Sequence, residues 1–192
     1  MLDVVELTAV KPQVASELED FDQTIGLYQQ RIYRLLLAQI GEPDIAEELT
    51  QECFIRAFQN RTRFRGESQV FTWLARIAIN LARDYFRNRR LAFWRRLSRL
   101  DNSEEENRRA MAVPDRSVSP EDLVIQREKL AAVMTLVKQL SQPQRETLLL
   151  SVIEEMSLDE IAQCTNRRIG TVKTHLFRAL MNLRKWQEGK HK

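Results

Sequence analysis

The residues with most chemical potential in this 192-residue chain are cations gathered in two places. Between Arg76 and Arg99 stand Arg76, Arg83, Arg87, Arg89, Arg90, Arg95, Arg96 and Arg99 against Asp84 alone, a local net charge of +7. Between Asn166 and Lys192, Arg167, Arg168, Lys173, Arg178, Arg184, Lys185, Lys190 and Lys192 face only Glu188, again +7. The whole chain carries +3, so the remainder holds −11. Guanidinium and ammonium groups at this density bind phosphate well. A single basic stretch could be a solvated helix face. Two of them, each ending an amphipathic helix on an acidic background, suit two contacts with one nucleic acid.

Other chemistries find little to work with. The two histidines, His175 and His191, and the two cysteines, Cys53 and Cys164, make neither a metal-ligand cluster nor a disulfide framework. There is no Gly-rich phosphate loop and no carboxylate cluster. No catalytic residue, cofactor, metal or small-molecule substrate is therefore expected. Both cysteines fall at apolar helix positions, where inert packing is the expectation. No uncharged apolar stretch approaches the ~18 residues of a membrane span. The opening MLDVVELTAV lacks the basic start of a secretory signal. A reduced, cytoplasmic location follows as an expectation.

The elements that must position these cations are helices. With 43% hydrophobic and 30% charged residues, the chain can bury a core, and five Gly and five Pro leave helices largely uninterrupted. Phe21, Ile25, Tyr28, Ile32, Leu35 and Leu36 recur at helical spacing until Gly41. A second helix follows Glu42-Pro43-Asp44, with Asp44 and Glu47 spaced as a capping box and Ile45, Leu49, Cys53 and Ala57 on one face. Glu47, Glu48, Gln51 and Glu52 occupy its other faces. Beyond Phe64-Arg65-Gly66, a third helix is predicted from about Ser68 to Arg90, burying Val70, Leu74, Ile77, Leu81 and Tyr85. Leu91 to Leu97, basic and aromatic, could contact DNA, a partner or a membrane surface, but read most simply as its extension. From Ser98 to Asp122 periodicity vanishes in a polar stretch broken by Pro114 and Pro120, a linker by composition. Periodicity resumes with Leu123, Leu130, Val133, Met134 and Val137, and after Pro143 comes a helix holding Leu148, Leu149 and Leu150.

At the C-terminal end, Ser157 and Glu160 are spaced to cap a short helix that stops near Cys164-Thr165-Asn166. A longer helix then buries Val172, Leu176, Ala179, Leu180 and Leu183 and exposes Thr171, Lys173, Thr174, His175 and Arg178. This is a helix-turn-helix pattern, whose second helix can enter a major groove with its first residues at base edges. A stand-alone regulator with a helical sensing domain would share it.

Three segments here resemble region 4 of bacterial sigma factors: Leu140-Ser141-Gln142-Pro143-Gln144-Arg145-Glu146, Met156 to Ala162, and Ile169-Gly170-Thr171-Val172-Lys173-Thr174-His175-Leu176-Phe177-Arg178-Ala179. Asp44 to Phe54 resembles the acidic helix of sigma region 2. Phe64-Arg65-Gly66-Glu67, Thr72 to Ala78 and Asn80-Leu81-Ala82-Arg83-Asp84 resemble its promoter-reading part. Order and spacing match the extracytoplasmic-function group, over about residues 15 to 97 and 123 to 187. The resemblance implies an all-α chain of two small helical domains, region 2 over 1–97 and the region 4 helix-turn-helix over 123–192, joined by a flexible linker over 98–122.

The resemblance also implies roles. Core RNA polymerase would be bound through its β′ clamp by Asp44, Glu47, Glu48, Gln51 and Glu52, and through its β flap. The −10 element of promoter DNA would be met by Phe64, Arg76, Asn80, Arg83, Asp84 and Arg87. Here Asn80 suits a base edge, the arginines suit phosphates, and Asp84 could instead orient a neighbouring arginine. Phe64 and Phe71 are placed either to stack on a flipped base or to pack, packing being favoured for Phe71; Trp73 reads as structural. The −35 element would be read by Arg168, Thr171, Lys173, Thr174, His175 and Arg178, and Gly170 either permits close backbone approach or caps. His175 stands where relatives often carry arginine, which changes what can be read there. Asp101, Glu104, Glu105 and Glu106 make the linker acidic. Control by an anti-sigma factor, in many relatives membrane-anchored, is the family pattern. The first ~18 residues lack the usual acidic helical opening and are expected to be frayed or accessory.

Overall fold

Local signals decide where each helix begins and ends. The computed structural model describes residues 20–98 and 132–189, so the expectations for the N-terminal stretch, the linker and Leu123 to Leu130 lie outside the described residues. Helix α1 spans Phe21–Ile40; the Asp20 carboxylate accepts from the Gln23 N–H at 3.1 Å to cap it. Gly41 ends it in the left-handed region (φ 79°), with its N–H donated to Leu37. Helix α2 spans Pro43–Asn60 and corrects one expectation: Asp44 and Glu47 form no capping box. Proline at the first helical position starts the helix before Asp44, so this carboxylate sits in the first turn, where the helix dipole still favours it. Glu42, the N-cap residue, turns its side chain to Arg89 and Tyr85 instead. A 3₁₀ turn, Arg61–Arg63, leads to α3, Val70–Ser98. The helix runs unbroken past Arg90, as the extension reading expected.

These three helices enclose Ile32, Leu35 and Leu36 from α1, Cys53, Phe54 and Ala57 from α2, and Val70, Leu74, Ala78 and Ile79 from α3. Alanines at 75, 78 and 82 are all buried and let α3 pack closely. Cys53 and Cys164 are buried free thiols, and burial pushes each up to about 12. Neither should react measurably with a thiol-specific disulfide reagent at pH 8 until denaturant is added. Rapid labelling of the native chain would contradict this packing.

The C-terminal half comprises α4 (132–139), α5 Gln142–Val152, α6 Leu158–Thr165 and α7 Ile169–Gly189. Ser157 and Glu160 form the expected reciprocal capping box, a device that contributes about 1 kcal/mol. Asn166, left-handed at φ 53°, turns the chain into α7. The buried stripe of α7 is narrower than expected. Val172 and Ala179 are buried, but Leu180 is 50% exposed and groups with exposed Phe177 and Met181. Five apolar positions make a stripe wider than the surface α5 and α6 offer, so its edge is left uncovered.

The two halves pack on each other. One apolar core runs from Ile32 through Ile79 to Leu150, Ile161 and Val172, with α3 along α6 and α1 against α5. Polar contacts reinforce this seam. Arg31 of α1 pairs with Glu154 and stacks its guanidinium 3.5 Å over the Phe71 ring. Arg145 donates to the Gln39 carbonyl at 2.9 Å. Among the described residues, no helix is long and apolar enough to cross a membrane.

Candidate nucleic-acid interface

On α7 the readable face begins at its first turn. Arg168, Thr171, Lys173, Thr174 and Arg178 are exposed, and residues 171, 174, 175 and 178 repeat at helical spacing. Val172 and Ala179, buried about a quarter turn away, fix the helix rotation that turns this face outward. Thr174 spends its hydroxyl donor on the Gly170 carbonyl at 2.9 Å. Gly170 has open space where a Cβ would stand, so packing within the chain does not require it. His175 is half-buried, and its Nδ1 has no hydrogen-bond partner among the described residues. Desolvation first, then the positive charges of Arg167 and Arg178, lowers its pKa below the ordinary value. The imidazole is therefore neutral near pH 7, able to donate or accept, unlike an arginine.

On α3, Arg76, Asn80, Arg83 and Arg87 fall at successive turns of one face. Arg76, Asn80 and Arg87 are exposed, and Asp84 pairs with Arg87 at 2.9 Å, orienting a neighbouring arginine. Phe64 is half-buried and packs on Trp73 with ring centroids 5.1 Å apart. Phe71 is a core residue, 4% exposed.

Arg83 differs from its neighbours. Its Nε and Nη2 donate to the two carboxylate oxygens of Glu146 at 3.0 and 2.7 Å, and both terminal nitrogens lie 3.3 Å from the Thr165 carbonyl. The same carboxylate accepts from Arg167 at 2.8 Å. Glu146 is 1% exposed, so one buried acid on α5 holds an arginine from each half of the chain. Sequence reasoning missed Glu146. The available signal was a carboxylate beside Thr147, Leu148, Leu149 and Leu150, a run buried in the middle of its helix. Such a position demands a buried cation.

The acidic candidates lie on α2, whose N-cap Glu42 pairs with Arg89 of α3. Asp44, Glu47, Glu48 and Gln51 are exposed, whereas Glu52 is half-buried and paired with Arg56 at 2.6 Å. A shallow groove of about 200 Å³ between α1 and α2 is lined by Gln29, Gln30, Tyr33, Glu47, Thr50 and Gln51. Among the described residues no group of His, Cys, Asp or Glu could hold a metal ion.

Comparison with known proteins accounts for this layout. Residues 24–92 match the Sigma-70 region 2 family and residues 130–183 the Sigma-70, region 4 family. The chain is 31% identical over 176 residues to the ECF RNA polymerase sigma factor SigW of Bacillus subtilis (strain 168), covering 92% of this chain and 93% of that one. To the ECF RNA polymerase sigma-E factor of Escherichia coli (strain K12) it is 30% identical over 161 residues, 83% of this chain and 82% of the relative. Two solved structures share the fold. Sigma factor RpoE, in complex with the anti-sigma factor NepR from Bartonella quintana, has TM-score 0.66 and 22% identity over 88% of this chain and 98% of that one. CnrH, in complex with the cytosolic domain of CnrY, has TM-score 0.65 and 20% identity over 94% and 96%. These helices, their order and their exposed charge identify the chain as a member of the ECF sigma factors, transcription initiation factors rather than enzymes, built from Sigma-70 regions 2 and 4.

Proposed function

We propose that this chain binds core RNA polymerase through the exposed acidic face of α2 and carries it to promoters read by α3 and α7. Asp44, Glu47, Glu48, Gln51 and Glu52 would dock on the β′ clamp, and region 4 would engage the β flap. Arg76, Asn80, Arg83 and Arg87, with Phe64 and Asp84 at the edge of that surface, would meet the −10 element. Arg168, Thr171, Lys173, Thr174, His175 and Arg178 would read the −35 element. The observation that carries the reading is the distribution of charge: acidic side chains exposed on α2 and cationic ones exposed on α3 and α7 around one apolar core.

RpoE and CnrH are each held by a partner, an anti-sigma factor in the first case. The same control is proposed here, with an anti-sigma factor covering the polymerase-facing surfaces, membrane-anchored as in many relatives, and this chain acting in the cytoplasm. The domain limits proposed are 1–97 and 123–192 around a linker over 98–122.

Run-off transcription with purified core enzyme on a promoter library tests the reading. Discrete transcripts should appear from templates sharing two spaced elements, and their absence would refute it. His175→Ala should shift the preferred −35 sequence, because a base contact discriminates by about 1–3 kcal/mol, while affinity for core enzyme stays unchanged.

A further inference from the structure

On one side the seam between the halves opens into a cleft of about 320 Å³. Its walls are Arg83, Phe86, Arg87 and Arg90 from α3 and Gln142 and Arg145 from α5. Four guanidinium groups and one amide line it, and no carboxylate does. The neighbouring acids are already engaged, Asp84 with Arg87 and Glu146 with Arg83 and Arg167. Arg90 has no ion-pair partner among the described residues.

Two donors in the walls are buried and unanswered. Gln142 Nε2 and Arg145 Nε have no acceptor among the described residues, although the other nitrogens of Arg145 donate to the Gln39, Lys138 and Leu140 carbonyls. Buried N–H groups without acceptors are costly, and so are like charges gathered in a partly enclosed space. An anion with several oxygens relieves the gathered positive charge, and phosphate best matches the arginine fork. The cleft is at the lower end of the range that holds nucleotide-sized ligands. Phe86 supplies one apolar wall, with the Arg145 guanidinium 5.7 Å from its ring centroid.

We propose that this cleft binds a small phosphorylated anion, of the size of a nucleoside diphosphate or triphosphate, with its phosphates on Arg87, Arg90 and Arg145 and its organic part along Phe86. Both halves contribute walls, so a bound anion holds them together. It also occupies Arg87, a residue proposed to contact promoter phosphates, and so opposes DNA binding in proportion to its concentration. The binding site goes beyond promoter recognition and rests on the packing of the two halves, while its effect on DNA binding rests on the proposed role of Arg87. Run-off transcription and anion binding can therefore fail independently.

Calorimetric titration of the full chain with ATP and, separately, with inorganic tripolyphosphate tests the site. Saturable binding of both is expected, ATP being roughly tenfold tighter through its organic part. Arg90→Ala and Gln142→Ala should each weaken binding about fivefold. Arg90 is exposed, so thermal melting of its variant without ligand should match the parent chain. Equal affinity for the two probes would support the phosphate site and overturn the place given to Phe86. Absence of saturable binding at millimolar concentrations, or unchanged affinity in both variants, would overturn the proposal.

Discussion

Replacing Glu146 by alanine should lower the unfolding free energy by about 3–5 kcal/mol, the range for deleting one partner of a buried ion pair. The carboxylate is 1% exposed and answers two arginines at once, so its loss leaves Arg83 and Arg167 facing each other without a counter-charge. Against a typical total of about 5–15 kcal/mol, this is a large fraction. Urea denaturation followed by circular dichroism would measure it as a lower midpoint. Glu146→Gln keeps the volume and one acceptor and should lose less, about 1–3 kcal/mol. If Glu146→Ala melts like the parent chain, the pairing between the halves contributes nothing in solution.

Glu48→Lys should do the opposite: leave stability nearly untouched and remove function. Glu48 is exposed on α2, away from the core, and surface changes of this kind usually fall within about 0.5 kcal/mol. Its charge lies among Asp44, Glu47 and Gln51, so the substitution puts a cation at the centre of the acidic face. Binding to purified core enzyme, followed by fluorescence anisotropy, should weaken at least tenfold, about 1.4 kcal/mol, and run-off transcription should fall with it. Unchanged affinity would remove α2 from the proposed docking surface.

Much of this was legible in the order of residues, for a physical reason. Helical periodicity, a glycine stop and a serine cap are interactions between residues a few positions apart. Gly41 and the Ser157–Glu160 pair therefore appear where spacing places them. Phe71 could be assigned to the core because its helix buries neighbours at 70 and 74. Where local rules compete, the reading slipped. Pro43 took the helix start that Asp44 seemed to mark, and Leu180 fits the period of α7 but stays half exposed.

The candidate site was legible as a composition and much less so as an arrangement. Arg76, Asn80 and Arg87 are outward, as phosphate and base contacts must be. Arg83 shares their spacing, yet its partner lies 63 positions along the chain. No periodicity announces a contact of that range. The packing of region 2 on region 4 has the same origin: it rests on apolar surface and single ion pairs contributed by distant segments.

The burial of Glu146 and Glu154 makes ionic strength act unevenly on this molecule. Mobile counterions compete strongly for the outward arginines and lysines, and a protein making several phosphate contacts loses orders of magnitude in DNA affinity between about 50 and 200 mM salt. They barely reach carboxylates that water itself does not touch. Concentrated electrolyte should therefore strip this chain from a duplex and leave its folded halves clasped.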